Sequence, residues 1–277
     1  MKKLIKLTSV SIVLISAVAC SSDETIKEED NTKQEDTVEA IVEIDENINY
    51  TLPSPLQIAN IFKNAGLSYI GDLTNPADNL SKYNERLSQK LNFGVYSADM
   101  AYCVLNNQTQ ESIYYIKTLK ELSEKLWHMD VFNSISVLKR FEANVDNQDS
   151  LAYIIADLQM DLDEYLEEND MGSTSGIIFA GAWIESVYIG SNVLLNNDNE
   201  KLNSRLGEQA VILESLINTL KQAKEAELDD LIKDLEKLDS HFAPLRQEDT
   251  ENYSLTKEQI DALAKDINDL RTKIING

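Results

Sequence analysis

The sequence predicts an all-α protein, an up-and-down bundle of about ten helices. Three observations carry that expectation. Helix-start and helix-stop residues recur from Thr51 onward, no strand-length alternation is bounded by hairpin signals, and Gly176 to Leu195 is nearly all apolar. At 3.6 residues per turn this stretch sets Ile178, Gly181, Ala182, Glu185, Tyr188, Ile189 and Asn192 on one face. The opposite face carries Ile177, Ala180, Ile184, Val187, Ser191 and Leu195, so both are core-like. A helix apolar all round is either a membrane span or the centre of a bundle. A mid-span carboxylate such as Glu185 costs about 2.5 to 3.5 kcal/mol in a bilayer, and Gly181, Ala182, Ser186 and Gly190 dilute the hydropathy further. The bundle centre is therefore expected.

The remaining elements follow from local punctuation. Ser54-Pro55-Leu56-Gln57 combines an N-cap, a first-turn proline and a capping-box glutamine, and Gly66 supplies a left-handed stop. Asn75-Pro76 predicts a second helix to about Lys90, Asn92 or Phe93 a third to Asn107, Thr109 a fourth to Trp127, and Val131 a fifth to Val145. Asp149 is expected to cap a sixth helix reaching Glu168, and Ser173 to begin the central one. Asn199 opens another, ending near Ala226. Leu228 to His241 follows until Pro244 interrupts it, and the capping box Thr256-Lys257-Glu258-Gln259 starts a last helix to Ile275. Residues 51–277 thus read as one α-helical domain.

The central helix has an echo. A shift of 86 residues places Asp99 on Glu185, Tyr102 on Tyr188 and Asn106 on Asn192, so both helices read acid-x-x-Tyr-x-x-x-Asn along one face. The helices after them align with a shift of 101, Ile116 to Lys120 on Ile217 to Lys221. Pro76 to Leu126 and Asp149 to Lys224 are accordingly expected to be two copies of a three-helix unit.

Upstream, Met1 to Lys6 is a positive n-region, Leu7 to Ile15 a short apolar run, and Ser16-Ala17-Val18-Ala19 a string of small residues before Cys20. This resembles the lipobox of bacterial lipoproteins, which implies that residues 1–19 are a signal peptide and that Cys20 carries the lipid. More than one acyl chain is needed for stable anchoring, since each buried methylene adds about 0.8 kcal/mol. Residues 20–50 are the lipidated cysteine and a tether that holds 11 acids against 2 lysines, too charged and too poor in apolar residues to collapse. Its start, Cys20-Ser21-Ser22-Asp23-Glu24, resembles the export signal of surface lipoproteins in Bacteroidota. The expected location is the outer membrane, with the membrane as partner through the lipid anchor; the export-signal likeness implies exposure at the surface, while a plain acidic spacer would serve a periplasm-facing protein equally well.

Charge and residue inventory exclude much else. The formal charge is −23, and no cluster of Lys and Arg is available to neutralise phosphates, so nucleic acid is not a partner. The acidic domain should also stand off anionic headgroups. Cys103 has no disulfide partner once Cys20 is lipidated, and it reads as a small apolar residue in a helix. Di-iron bundles need Glu-x-x-His twice, whereas His128 follows Glu124 by four residues and His241 follows Glu236 by five. Asp239, Ser240 and His241 are too close in sequence to relay a proton. No metal site, cofactor or phosphate-binding loop is expected.

The residues with chemical potential are the echoed set, Asp99, Tyr102 and Asn106 with Glu185, Tyr188 and Asn192. Both acids lie among core-type neighbours, and buried charge is costly unless paired. One reading is a satisfied network in which tyrosine hydroxyls and asparagine amides serve the carboxylates. The other is a pocket for a cationic or polyhydroxy ligand or a hard metal ion. Leu52 to Asn60, Tyr96 to Cys103 and Phe179 to Tyr188 together resemble an uncharacterised group of all-helical lipoproteins of Bacteroidota. That resemblance implies a location and a helical fold and brings no catalytic residue. The function expected is an envelope-anchored binding or interaction module for a protein or small molecule. The alternative is an envelope enzyme using the Asp99 and Glu185 carboxylates in acid/base or metal-assisted chemistry.

Overall fold

The structure is a computed structural model that describes residues 52–127, 135–247 and 253–277. The signal segment, Cys20 and the acidic tether lie outside the described residues, as do His128 and the expected helix start at Val131. Ten α-helices are described: α1 (Pro55–Asn64), α2 (Arg86–Leu105), α3 (Thr109–Trp127), α4 (Ile135–Ala143), α5 (Gln148–Glu168), α6 (Gly172–Asn196), α7 (Glu200–Gly207), α8 (Gln209–Ala223), α9 (Asp229–Gln247) and α10 (Lys257–Asn276). No strand occurs among the described residues. The bundle class is as the punctuation predicts, and both capping boxes form, at Ser54 with Gln57 and at Thr256 with Gln259.

Four local expectations are corrected. No α-helix runs from Asn75 to Lys90; a short 3-10 helix spans Ala77–Lys82, and α2 begins at Arg86 and continues through Asn92. The first copy of the expected three-helix unit therefore lacks its first α-helix. Asn75 is withdrawn from capping because its main chain and side chain are bonded into the core, described below. The N-cap of α5 is Asn147, whose side chain accepts from the Ser150 N–H, while Asp149 sits in the first turn. The helix expected from Asn199 is two helices, broken after Gly207. A Cβ there would lie 1.6 Å from the Tyr253 carbonyl oxygen, so only glycine lets the segment before α10 cross. Finally, α9 continues past Pro244 to Gln247. Its last turn is held by Arg246, bonded to Asp239 of the same helix (2.6 Å) and to the Ala210 carbonyl of α8 (2.8 Å).

The bundle is organised on the seam between α2 and α6. A Cβ built on Gly94 would lie 1.9 Å from the Ile178 carbonyl oxygen, and one on Gly181 would lie 1.9 Å from that of Leu91. Backbone thus meets backbone at this crossing, as small residues permit. Around α6, the helices α1 and α7 to α10 build one apolar cluster, with Phe62, Trp183, Leu213 and Phe242 in it; α2 to α5 build a second around Tyr96, Ile116, Leu122 and Phe141. Of the most apolar window of α6, 94% is buried inside the bundle. Phe62 of α1 rests on Gly190 and Lys63 reaches Asn106, so α2 and α6 run toward the same end. Helix α10 runs the other way, its Arg271 beside Glu185 and its Ile274 carbonyl beside Asn92.

Candidate functional site

Asp99 and Glu185, on facing sides of the seam, are both 0% exposed. They meet at the level where α10 lays Arg271 across them. The Arg271 guanidinium donates from Nε to Glu185 Oε2 (2.6 Å) and from Nη2 to Oε1 (2.7 Å), a two-pronged ion pair, and from Nη2 to the Leu73 carbonyl (2.8 Å). Its other face lies 4.1 Å from the centre of the Tyr188 ring, within cation–π range. Arg271 itself is only 6% exposed. Burial opposes its charge, but the Glu185 carboxylate outweighs that effect and holds it protonated.

Asp99 has a different environment. Its Oδ2 accepts the Asn75 N–H at 3.0 Å, while its Oδ1 is buried with no donor of its own. The Glu185 charge acts on it inside the same buried site, where two ionised carboxylates repel each other. A proton on Asp99 relieves that repulsion, and the cluster of two acids and one arginine is then neutral overall. Burial, then the Glu185 charge, push the Asp99 carboxyl well above the usual carboxylate range, against the opposing pull of Arg271.

The segment between α1 and α2 closes the site. The Asn75 amide donates to the Tyr83 hydroxyl (3.0 Å), its side-chain oxygen accepts from Asn79 (2.7 Å), and its main-chain carbonyl accepts from the Tyr115 hydroxyl (3.1 Å). The Tyr96 hydroxyl donates to the Pro76 carbonyl, and the Tyr102 hydroxyl donates to the Ser68 carbonyl while accepting from the Ile70 N–H. Four tyrosines in all staple this segment, with Tyr83 bonded on to the Ile275 carbonyl of α10.

Of the six candidate residues, three come together: Asp99, Glu185 and Tyr188. The Tyr102 hydroxyl goes to the stapled segment and not to a carboxylate. Asn106 and Asn192 each donate to the carbonyl of the tyrosine four residues earlier (both 2.8 Å), and Asn106 also accepts from Lys63 (2.7 Å). Neither amide reaches an acid. Arg271 and Asn75 were missed. The signal for Arg271 was present, because it falls on the apolar face of α10 with Ile260, Leu263, Ile267 and Ile274, where a solvated arginine would not sit.

Other candidates resolve simply. Cys103 is a free, buried thiol, pushed far up by burial and then by Asp99, and so unfit as a nucleophile. His241 pairs with Asp266 at 2.9 Å and Asp239 with Arg246. No group of three or more His, Cys, Asp or Glu side chains among the described residues is placed to hold a metal ion. Chemically the cluster can retain one proton and clamp α10 against the seam. It offers no open face to a substrate, since both acids are fully covered. No protein-family model, curated protein or solved structure matches this chain.

Proposed function

We propose that the protein is an envelope lipoprotein, tethered through Cys20, whose helical domain acts as a binding or interaction module rather than as an enzyme. The observation that carries the reading is the sealing of the facing acids of α2 and α6: Asp99 and Glu185 are covered completely, Glu185 is paired with Arg271, and burial pushes the Asp99 carboxyl well above the usual carboxylate range. Acid/base catalysis needs a group within reach of substrate or of one bridging water. With the cluster occupied in holding the core, the surface is left as the place where function resides. The small residues before Cys20, the acidic tether and the likeness to helical lipoproteins support the anchored location.

The test has two arms in the same cells. Labelled palmitate should enter the wild-type chain and not Cys20→Ala, and protease added to intact cells should release the helical domain by cutting the tether. Labelling that persists in Cys20→Ala removes the anchor from the reading. Protection until the envelope is opened places the domain inside instead.

A further inference from the structure

Helix α5 carries a face that the other described helices leave uncovered. Its inner side, with Leu151, Ile154, Leu158 and Leu162, packs into the second apolar cluster. On the outer side Tyr153 is 67% and Met160 62% exposed, with exposed Ala156 between them, and their spacing of three and then four residues aligns them along the helix. Beside this strip an apolar groove runs where α5 approaches the start of α1, lined by Pro55, Leu56, Phe93, Met100, Ile155 and Ala156 among others. Strip and groove make one continuous apolar surface at Ala156.

The electrostatic frame of this surface says what fits it. Helix α5 holds seven carboxylates and no Lys or Arg in 21 residues, whereas every other helix except buried α6 contains at least one cation. Among the described residues only Asp157 is met by a cation, Arg140 of α4 at 2.9 Å. Asp161 and Glu164 flank the strip on one side, Asp163 on the other, and Asp149 and Glu167 lie toward its ends. A second copy presenting the same face would bring like charges together, and an anionic lipid surface would be repelled for the same reason. A cationic helix with one apolar stripe answers both features: its apolar side chains cover the strip and groove, and its Lys and Arg meet the rim.

We propose that the outer face of α5 docks a cationic amphipathic helix of a partner protein. This rests on reading the domain as an interaction module. The test uses the full chain and two peptides of equal charge, one a Leu/Lys sequence patterned as an amphipathic helix and one a Lys/Ser sequence without an apolar stripe. The patterned peptide should bind more tightly, and its affinity should fall by about tenfold in Tyr153→Ser/Met160→Ser and again in Asp161→Lys/Glu164→Lys. Leu195→Ser, which removes an exposed apolar side chain from the end of α6, should leave it unchanged. Equal binding of the two peptides, or indifference to the α5 variants, overturns the proposal. Self-association of the chain that is lost in Met160→Ser would make a second copy the occupant and overturns it too. In cells, a photo-crosslinker at Tyr153 should capture a partner where one at Lys201 or Lys233 does not. Capture only at the other positions removes the α5 site but leaves the module reading intact, whereas capture nowhere removes both.

Discussion

Helices α2 and α6 carry the same acid-x-x-Tyr-x-x-x-Asn pattern, share a direction and touch backbone to backbone, yet their acids have opposite fates. Glu185 of α6 is held by a two-pronged ion pair with Arg271, and its Tyr188 supports the arginine from beneath. Asp99 of α2 receives one N–H from Asn75, and its Tyr102 turns away to staple the segment between α1 and α2. Only the asparagines behave alike, each bonded back to the tyrosine carbonyl one turn earlier. The difference teaches that a repeated helical pattern specifies what its own backbone satisfies. The chemistry of a buried acid depends on what packs against it from elsewhere in the chain.

The comparison breaks most severely at Arg271. In Arg271→Met the Glu185 carboxylate loses its counter-charge inside the core, and urea unfolding should show a loss of about 3 to 5 kcal/mol. The double variant Arg271→Met/Glu185→Leu should recover much of that, because a matched apolar pair leaves no buried charge. A double variant as unstable as the single one would mean that α10 is held by shape and not by charge.

The seam is where the two helices are equivalent, and glycine substitution sharpens this. Gly94→Ala and Gly181→Ala each thrust a methyl into a facing carbonyl at 1.9 Å, so α2 and α6 must separate. Overpacking of about 3 kcal/mol, offset by about 1 kcal/mol from better helix propensity, leaves a net loss of about 2 kcal/mol for each. Thermal melts that separate the two variants widely would show the crossing to be less symmetric than its geometry.

The smallest effect, measured near pH 4, belongs to Asp99→Asn. Asparagine is neutral as the protonated acid is, and its oxygen still accepts from Asn75, so the change should stay within about 1 kcal/mol. The pH dependence then distinguishes the two acids. Because the folded-state pKa of Asp99 is raised, its stabilising contribution is complete below the unfolded value of about 3.9 and is lost as pH rises toward the folded value. Wild type should therefore lose stability relative to Asp99→Asn at up to about 1.4 kcal/mol per pH unit above pH 4, making the variant the more stable protein at neutral pH. A difference that does not vary with pH would show that Asp99 carries no retained proton.

What the sequence determined by itself was much of what depends on near neighbours, although the N-cap of α5 is Asn147 and not Asp149. Capping boxes at Ser54 and Thr256, the ends of α3 at Thr109 and Trp127, and the all-round apolar character of α6 are properties of a few consecutive residues, and each is legible from them. The burial of Asp99 and Glu185 was legible for the same reason, since their own helices surround them with core-type side chains. The tertiary structure alone decided that Arg271, 86 residues from Glu185, would be its partner, and that Asn75 would bond Asp99 instead of opening a helix. It also decided that Tyr253 would cross at Gly207, where the helix expected from Asn199 is divided in two. These are choices between distant groups of similar chemistry, made by which helices pack together, and no local period or spacing records them.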